Sequence, residues 1–185
     1  MTRFLFLMTL AAGATMAFGA DAPQANMGQV LDRQLRSAER EIVGLAEAMP
    51  AEKYSFRPTA GEFKNVRSFS QQMTHIAATL YGISAGALGE KNPSEMGQEE
   101  NGPASIADKA AAVKYLKDAF AYAHKATLAV TSANALDMMQ SPFGSSKTAR
   151  IDLVTTLLFH SFDHYGQAVV YARMNGIVPP ASRGQ

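Results

Sequence analysis

Two of the four histidines in this 185-residue chain, His160 and His164, stand four residues apart in the run FHSFDHYGQAVVY. In a helix, that spacing leaves their side chains only about 40° apart around the axis. Both imidazoles then point the same way, one turn apart, which lets one helix offer two nitrogens to one metal ion. His75 supplies a third candidate. Its helical face carries Ser68, Gln71, Gln72, Ala78, Thr79, Gly82 and Gly86, while Phe69, Met73, Ile76 and Leu80 lie elsewhere. A stripe of small and polar residues packs poorly as core and suits the wall of a cavity. Three neutral imidazoles facing one point would make a three-nitrogen site with open positions, as catalytic zinc prefers. The competing reading of the pair is a set of core histidines hydrogen-bonded to neighbours.

The fourth histidine, His124, falls at the edge of an apolar stripe beside Lys117 and reads as a boundary residue, not a ligand. The pattern differs from that of zinc proteases, which place a glutamate base directly after the first histidine; Ser161 holds that place here. Asp163 lies off the histidine face, where it would support a ligand or a polar contact. Gln167, two turns beyond His160, is placed to hydrogen-bond a ligand or a bound water. No Ser-His-Asp signature, glycine-rich phosphate loop or cysteine nucleophile is present, and no catalytic residue is assigned. With no cysteine in the chain, a transition-metal site must be built from histidines and carboxylates.

Four helical segments position these residues. The first runs from about Gln24 to Met49, with Leu31, Leu35, Ala38, Ile42, Leu45 and Met49 as its apolar stripe. Asp32, Arg33, Arg36, Arg40 and Glu47 fall largely off that stripe, and Pro50 ends the segment. Residues 51–67 read as an ordered connection. The second helix starts at Val66 or Ser68 and ends at Leu88, with Gly89 as its stop. Residues 90–103 form a polar loop. The third helix starts after Ser105, read as the N-cap with Asp108 three residues on, and ends near Ser132. Val113, Leu116, Phe120, Ala123, Thr127 and Val130 make its inner stripe. Residues 134–146 form a second irregular link, and no segment reads as a strand. The fourth helix runs from about Thr148 to Asn175–Gly176. Leu153, Thr156, Leu157, His160, His164, Gln167 and Tyr171 share its inner face. Ile151, Val154, Leu158, Phe162, Tyr165 and Val169 form a second apolar stripe, which predicts a partner, most simply a second copy of the chain. The fold class expected is all-α, a four-helix bundle.

Residues 1–20 stand apart. Arg3, an uncharged apolar run and the small residues Ala17, Gly19 and Ala20 are the parts of a secretory signal peptide. The expected organisation is a signal peptide over 1–20 and one helical domain over 21–185, secreted or periplasmic, with no stable membrane insertion after cleavage. The chain has 17 basic residues, one of them Arg3, so 16 remain against 16 acidic ones. Without a basic cluster, nucleic acid is not expected as a partner.

The run FHSFDHYGQAVVYARMNGIVPPAS resembles the C-terminal helix of the DinB-like (YfiT-type) metalloenzyme family. KYSFRPTAGEFKNVRSFSQQMTHIAATLYG resembles that family's loop and second helix, which carries the first histidine. The resemblance covers essentially all of the chain after the signal peptide. It implies an up-up-down-down helical bundle, often dimeric. It also implies a metal held by one histidine of the second helix and two of the fourth, which here fall on His75, His160 and His164. Characterised relatives include metal-dependent thiol transferases and a thiol-dependent isomerase. The function expected is an exported metal-dependent enzyme with hydrolase or thiol-transferase type chemistry. Zinc is the first choice of divalent ion, with nickel, iron or manganese as alternatives. The competing functions are a non-catalytic metal- or small-ligand-binding bundle and a structural dimer with a vestigial site.

Overall fold

The first three helices begin where a side chain can take over the free N–H groups of the first turn. A computed structural model describes residues 25–184, so the expected signal peptide and its cleavage point lie outside the described residues. Helix α1 spans Met27–Ala48 and is capped by Asn26, which accepts from Gln29 N at 2.9 Å while Gln29 Oε1 accepts from Asn26 N at 3.0 Å. Helix α2 spans Phe69–Leu88, with the same reciprocal box between Ser68 and Gln71, and stops at Gly89 in the left-handed conformation. Helix α3 spans Lys109–Leu128 and α4 spans Arg150–Met174. The N-cap of α3 is Asp108 and not Ser105: its carboxylate accepts from Ala111 N at 2.8 Å, so the helix starts three residues later than expected.

The expected stripes form the core. Leu35, Ala38, Ile42 and Leu45 of α1 and its C-cap Met49 are fully buried, as are Leu116, Phe120 and Ala123 of α3 and Phe69, Met73 and Ile76 of α2. Around the bundle the order is α1, α3, α2, α4, with α1 and α2 set diagonally. Short hydrogen bonds give the directions. Ser70 N donates to Tyr54 O, so α2 begins at the end where α1 finishes. Lys109 Nζ donates to Glu47 O and Met49 O, so α3 begins at that end as well. Arg150 Nη1 donates to Ala87 O, so α4 begins where α2 ends. The helices therefore run up, down, down, up, and not up-up-down-down. The physical reason is the α2–α3 connection. It returns along the bundle to the end it left, passing Gly82 with Met96 and Thr74 with Gly102, so α3 runs parallel to α2.

Three other expectations are corrected. The link before α4 holds a small antiparallel hairpin, β1 (Met138–Gln140) and β2 (Lys147–Ala149), with Met139 opposite Thr148. Three-residue strands are too short to leave an alternating pattern. Asp32, expected off the apolar stripe of α1, is fully buried, because His124 and Thr127 of α3 reach it. The second stripe of α4 divides: Val154 and Tyr165 are core, while Phe162 is 38% exposed. The outward row of α4 is instead Phe159, Phe162, Val170 and Met174, and a Cβ added at Gly166 would meet nothing within 4 Å. Among the described residues no helix is long and apolar enough to cross a membrane.

Candidate metal centre

The capping box at Ser68 sets the phase of α2, which places Gln72 and His75 on the side that meets α4. The antiparallel run of α4 brings His160 and His164 opposite them. One ring nitrogen from each of His75, His160 and His164 lies within 4.8 Å of the other two. The ring centroids are 5.2 Å apart for His75–His160, 4.4 Å for His75–His164 and 4.6 Å for His160–His164. His75 Nε2 and His160 Nε2 are 3.1 Å apart. Two nitrogens on one tetrahedral zinc at about 2.0–2.1 Å would stand roughly 3.3 Å apart. All three predicted histidines are thus brought together. His75 and His164 are buried and His160 is half-buried at the rim.

The far nitrogen of two rings is fixed by an oxygen. His75 Nδ1 is 2.9 Å from the main-chain oxygen of Glu100, which can only accept. His75 therefore carries its proton on Nδ1 and leaves a lone pair on Nε2. His164 Nδ1 lies 2.7 Å from Gln72 Oε1, with the same consequence. Gln72 Nε2 donates to Gln167 Oε1 at 3.0 Å, and Gln167 Nε2 donates to Asp163 Oδ2 at 3.1 Å. This relay runs one way, from the imidazole to a carboxylate, and such outer hydrogen bonds orient a ligating ring and raise its basicity. Asp163 and Gln167 thus support His164 through Gln72. Ser161, at the position of a protease glutamate, is buried and donates to Leu157 O at 2.8 Å.

Burial keeps the cluster uncharged. Desolvation and the neighbouring His164 push His75 down to about 3. Desolvation and His160 push His164 down to about 4. Desolvation lowers His160 as well, against the opposing pull of Asp163 and Glu100. Neutral imidazoles are the form a metal ion requires, and His75 and His164 carry the Nε2 lone pair. By donor chemistry and spacing, these residues fit a divalent ion with nitrogen preference.

The small-residue stripe of α2 does something other than line one cavity behind His75. A Cβ on Gly82 would fall 3.1 Å from Met96 Sδ, and one on Gly86 would fall 3.1 Å from Gln140 O. The stripe lets the α2–α3 loop and the β1–β2 hairpin lie close, around a cleft of about 430 Å³ that His75 does not line. That loop supplies what the sequence reading missed. Glu99 (φ 51°) and Glu100 (φ 58°) both adopt the left-handed conformation, which costs a non-glycine residue roughly 1–2 kcal/mol. The loop is folded back so tightly that a Cβ on Gly97 would fall 1.8 Å from Gly102 O. The only signal of this in the sequence is a pair of acids bracketed by glycines, GQEENG. His124 stays outside the cluster. Its Nδ1 is 2.6 Å from Asp32 Oδ1 and its Nε2 is 3.1 Å from Glu39 Oε2, on the α1–α3 side.

The sequence profile of the DinB superfamily matches residues 34–168. The crystal structure of a DinB-like protein from Bacillus cereus ATCC 10987 superposes with a TM-score of 0.63 at 17% sequence identity. The match covers 81% of this chain and 93% of that one. At that identity the likeness is one of fold. Among curated proteins none matches.

Proposed function

The chain belongs to the DinB superfamily, and on that premise we propose that it is a metal-binding protein whose divalent ion, zinc first, is held by Nε2 of His75, His160 and His164. The observation that carries this reading is the convergence of three uncharged imidazoles, two of them with Nδ1 already engaged by an oxygen acceptor. A bound ion there supplies Lewis acidity, which polarises a carbonyl or activates a water or thiol. The protein's own residues orient the three rings, keep them dry on the α2 side and leave His160 at an open rim. The resulting assignment is a metal-dependent enzyme of hydrolase or thiol-transfer type, exported by the segment 1–20.

The test is metal analysis of the purified native protein. One equivalent of metal, lost in His160→Ala, is the expected result. A native protein without metal overturns the reading. A metalloprotein inert toward ester, amide and thiol-transfer substrates would support the second reading, a non-catalytic binder. The assembly proposed is a homodimer through α4, supported by the outward row of Phe159 (64% exposed), Phe162, Val170 and Met174.

A further inference from the structure

Arg67 stands one residue before the N-cap of α2 and is half-buried. One edge of its guanidinium is fastened to the α2–α3 loop: Nε donates to Asn101 Oδ1 at 2.8 Å, and Nη2 donates to Glu99 O at 2.7 Å. The next carbonyl along the chain, Glu100 O, holds His75 Nδ1. Arg67 and the first histidine of the cluster are therefore tied to consecutive carbonyls of one loop.

Both acceptors of Arg67 are neutral oxygens. Among the described residues no carboxylate pairs with it. A guanidinium has five N–H donors, and only two are engaged. The opposite edge, made of Nη1 and the second N–H of Nη2, is the fork that matches a carboxylate or phosphate in two parallel hydrogen bonds. Asp163 is engaged by Gln167 instead. A half-buried, pre-fastened arginine without a counter-charge, on the loop that holds His75, is a strong local field for an anion.

We infer that Arg67 is the anion-recognition residue of the metal centre, and that the ligand of this site is a small molecule carrying an oxyanion, carboxylate or phosphate, on the open edge of Arg67. This inference rests on the metal reading above. The opposing view is that Arg67 does no more than pin the loop.

Calorimetric titration of the zinc-loaded protein with inorganic phosphate and, separately, with acetate decides between them. The expected result is binding of at least one anion to the native protein. In Arg67→Gln it weakens about tenfold or more, as loss of a charged hydrogen-bonding partner would give, with one zinc retained. The arm that binds tells phosphate from carboxylate. Equal affinity in native protein and Arg67→Gln, or no binding of either anion, overturns the inference while leaving the metal reading intact. Failure of the native protein to hold zinc overturns the metal reading and this one with it. Should Arg67→Gln lose zinc or helicity, Arg67→Lys decides instead. Lysine keeps the charge but cannot hold the loop and present a two-pronged edge, so weaker anion binding with zinc retained supports the inference, and unchanged binding overturns it.

Discussion

Gln72 Oε1 accepts the Nδ1–H of His164 at 2.7 Å, across the α2–α4 interface. The contact fixes the ring in the tautomer that leaves Nε2 free. Gln72→Leu keeps the bulk and removes the acceptor. Metal affinity is expected to fall about 10- to 100-fold, the range for loss of such outer partners, with the stoichiometry at saturating metal unchanged. A competition titration against a chelator measures this, and an unaltered constant would show that the contact does not tune the site.

Acid should destabilise the metal-stripped protein over a defined window. His75 and His164 are held down to about 3 and about 4 in the folded chain, against about 6.5 unfolded. Between these values the unfolded chain binds protons that the folded chain refuses. Stability is therefore full above about pH 6.5 and falls as pH drops toward 4, by up to about 1.4 kcal/mol per pH unit for each such group. Urea midpoints at several pH values give the slope. His75→Gln should make it shallower, and an unchanged slope would refute the assignment.

Metal should raise thermal stability by mass action. At free zinc 100 times its dissociation constant the gain is about 2.7 kcal/mol. The gain should vanish in His164→Ala. An equal upward shift in that variant would mean the ion binds elsewhere.

Asp32 is fully buried and joined to Arg36, His124 and Thr127. Asp32→Ala deletes a charged hydrogen-bonding centre between α1 and α3 and is expected to cost about 1.5–3 kcal/mol. The urea midpoint reads this, and zinc binding should not change, because the network lies outside the histidine cluster.

The outward row of α4 predicts a dimer. Phe162→Glu should convert it to a monomer by light scattering, with helicity intact. A native protein that already runs as a monomer removes the proposed assembly.

Much of the helical frame and the three histidines are legible in the chain because both obey the 3.6-residue period. Leu35, Ala38, Ile42 and Leu45 repeat with it, and His160 and His164 are one turn apart by it. What escapes the reading is set by partners distant in sequence. Asp32 reads only as a charge off the apolar stripe because its partners His124 and Thr127 lie on another helix. Glu100 contributes a main-chain oxygen to the site, and a carbonyl leaves no trace in residue type. The parallel course of α2 and α3 escapes too, because a polar loop such as residues 90–103 can turn back or run on with the same composition.

The acceptor that orients His75 is carried by the backbone of the loop, and this decides which inherited changes the site tolerates. Every residue type has a carbonyl, so replacing Glu100 leaves the acceptor in place, and asparagine or glycine there would suit the left-handed backbone better than glutamate. At Gly97 even one added methyl group collides with Gly102 O. The conspicuous acid can be exchanged without losing the acceptor, whereas the inconspicuous glycine three residues before it cannot take a side chain without moving the loop that presents that acceptor.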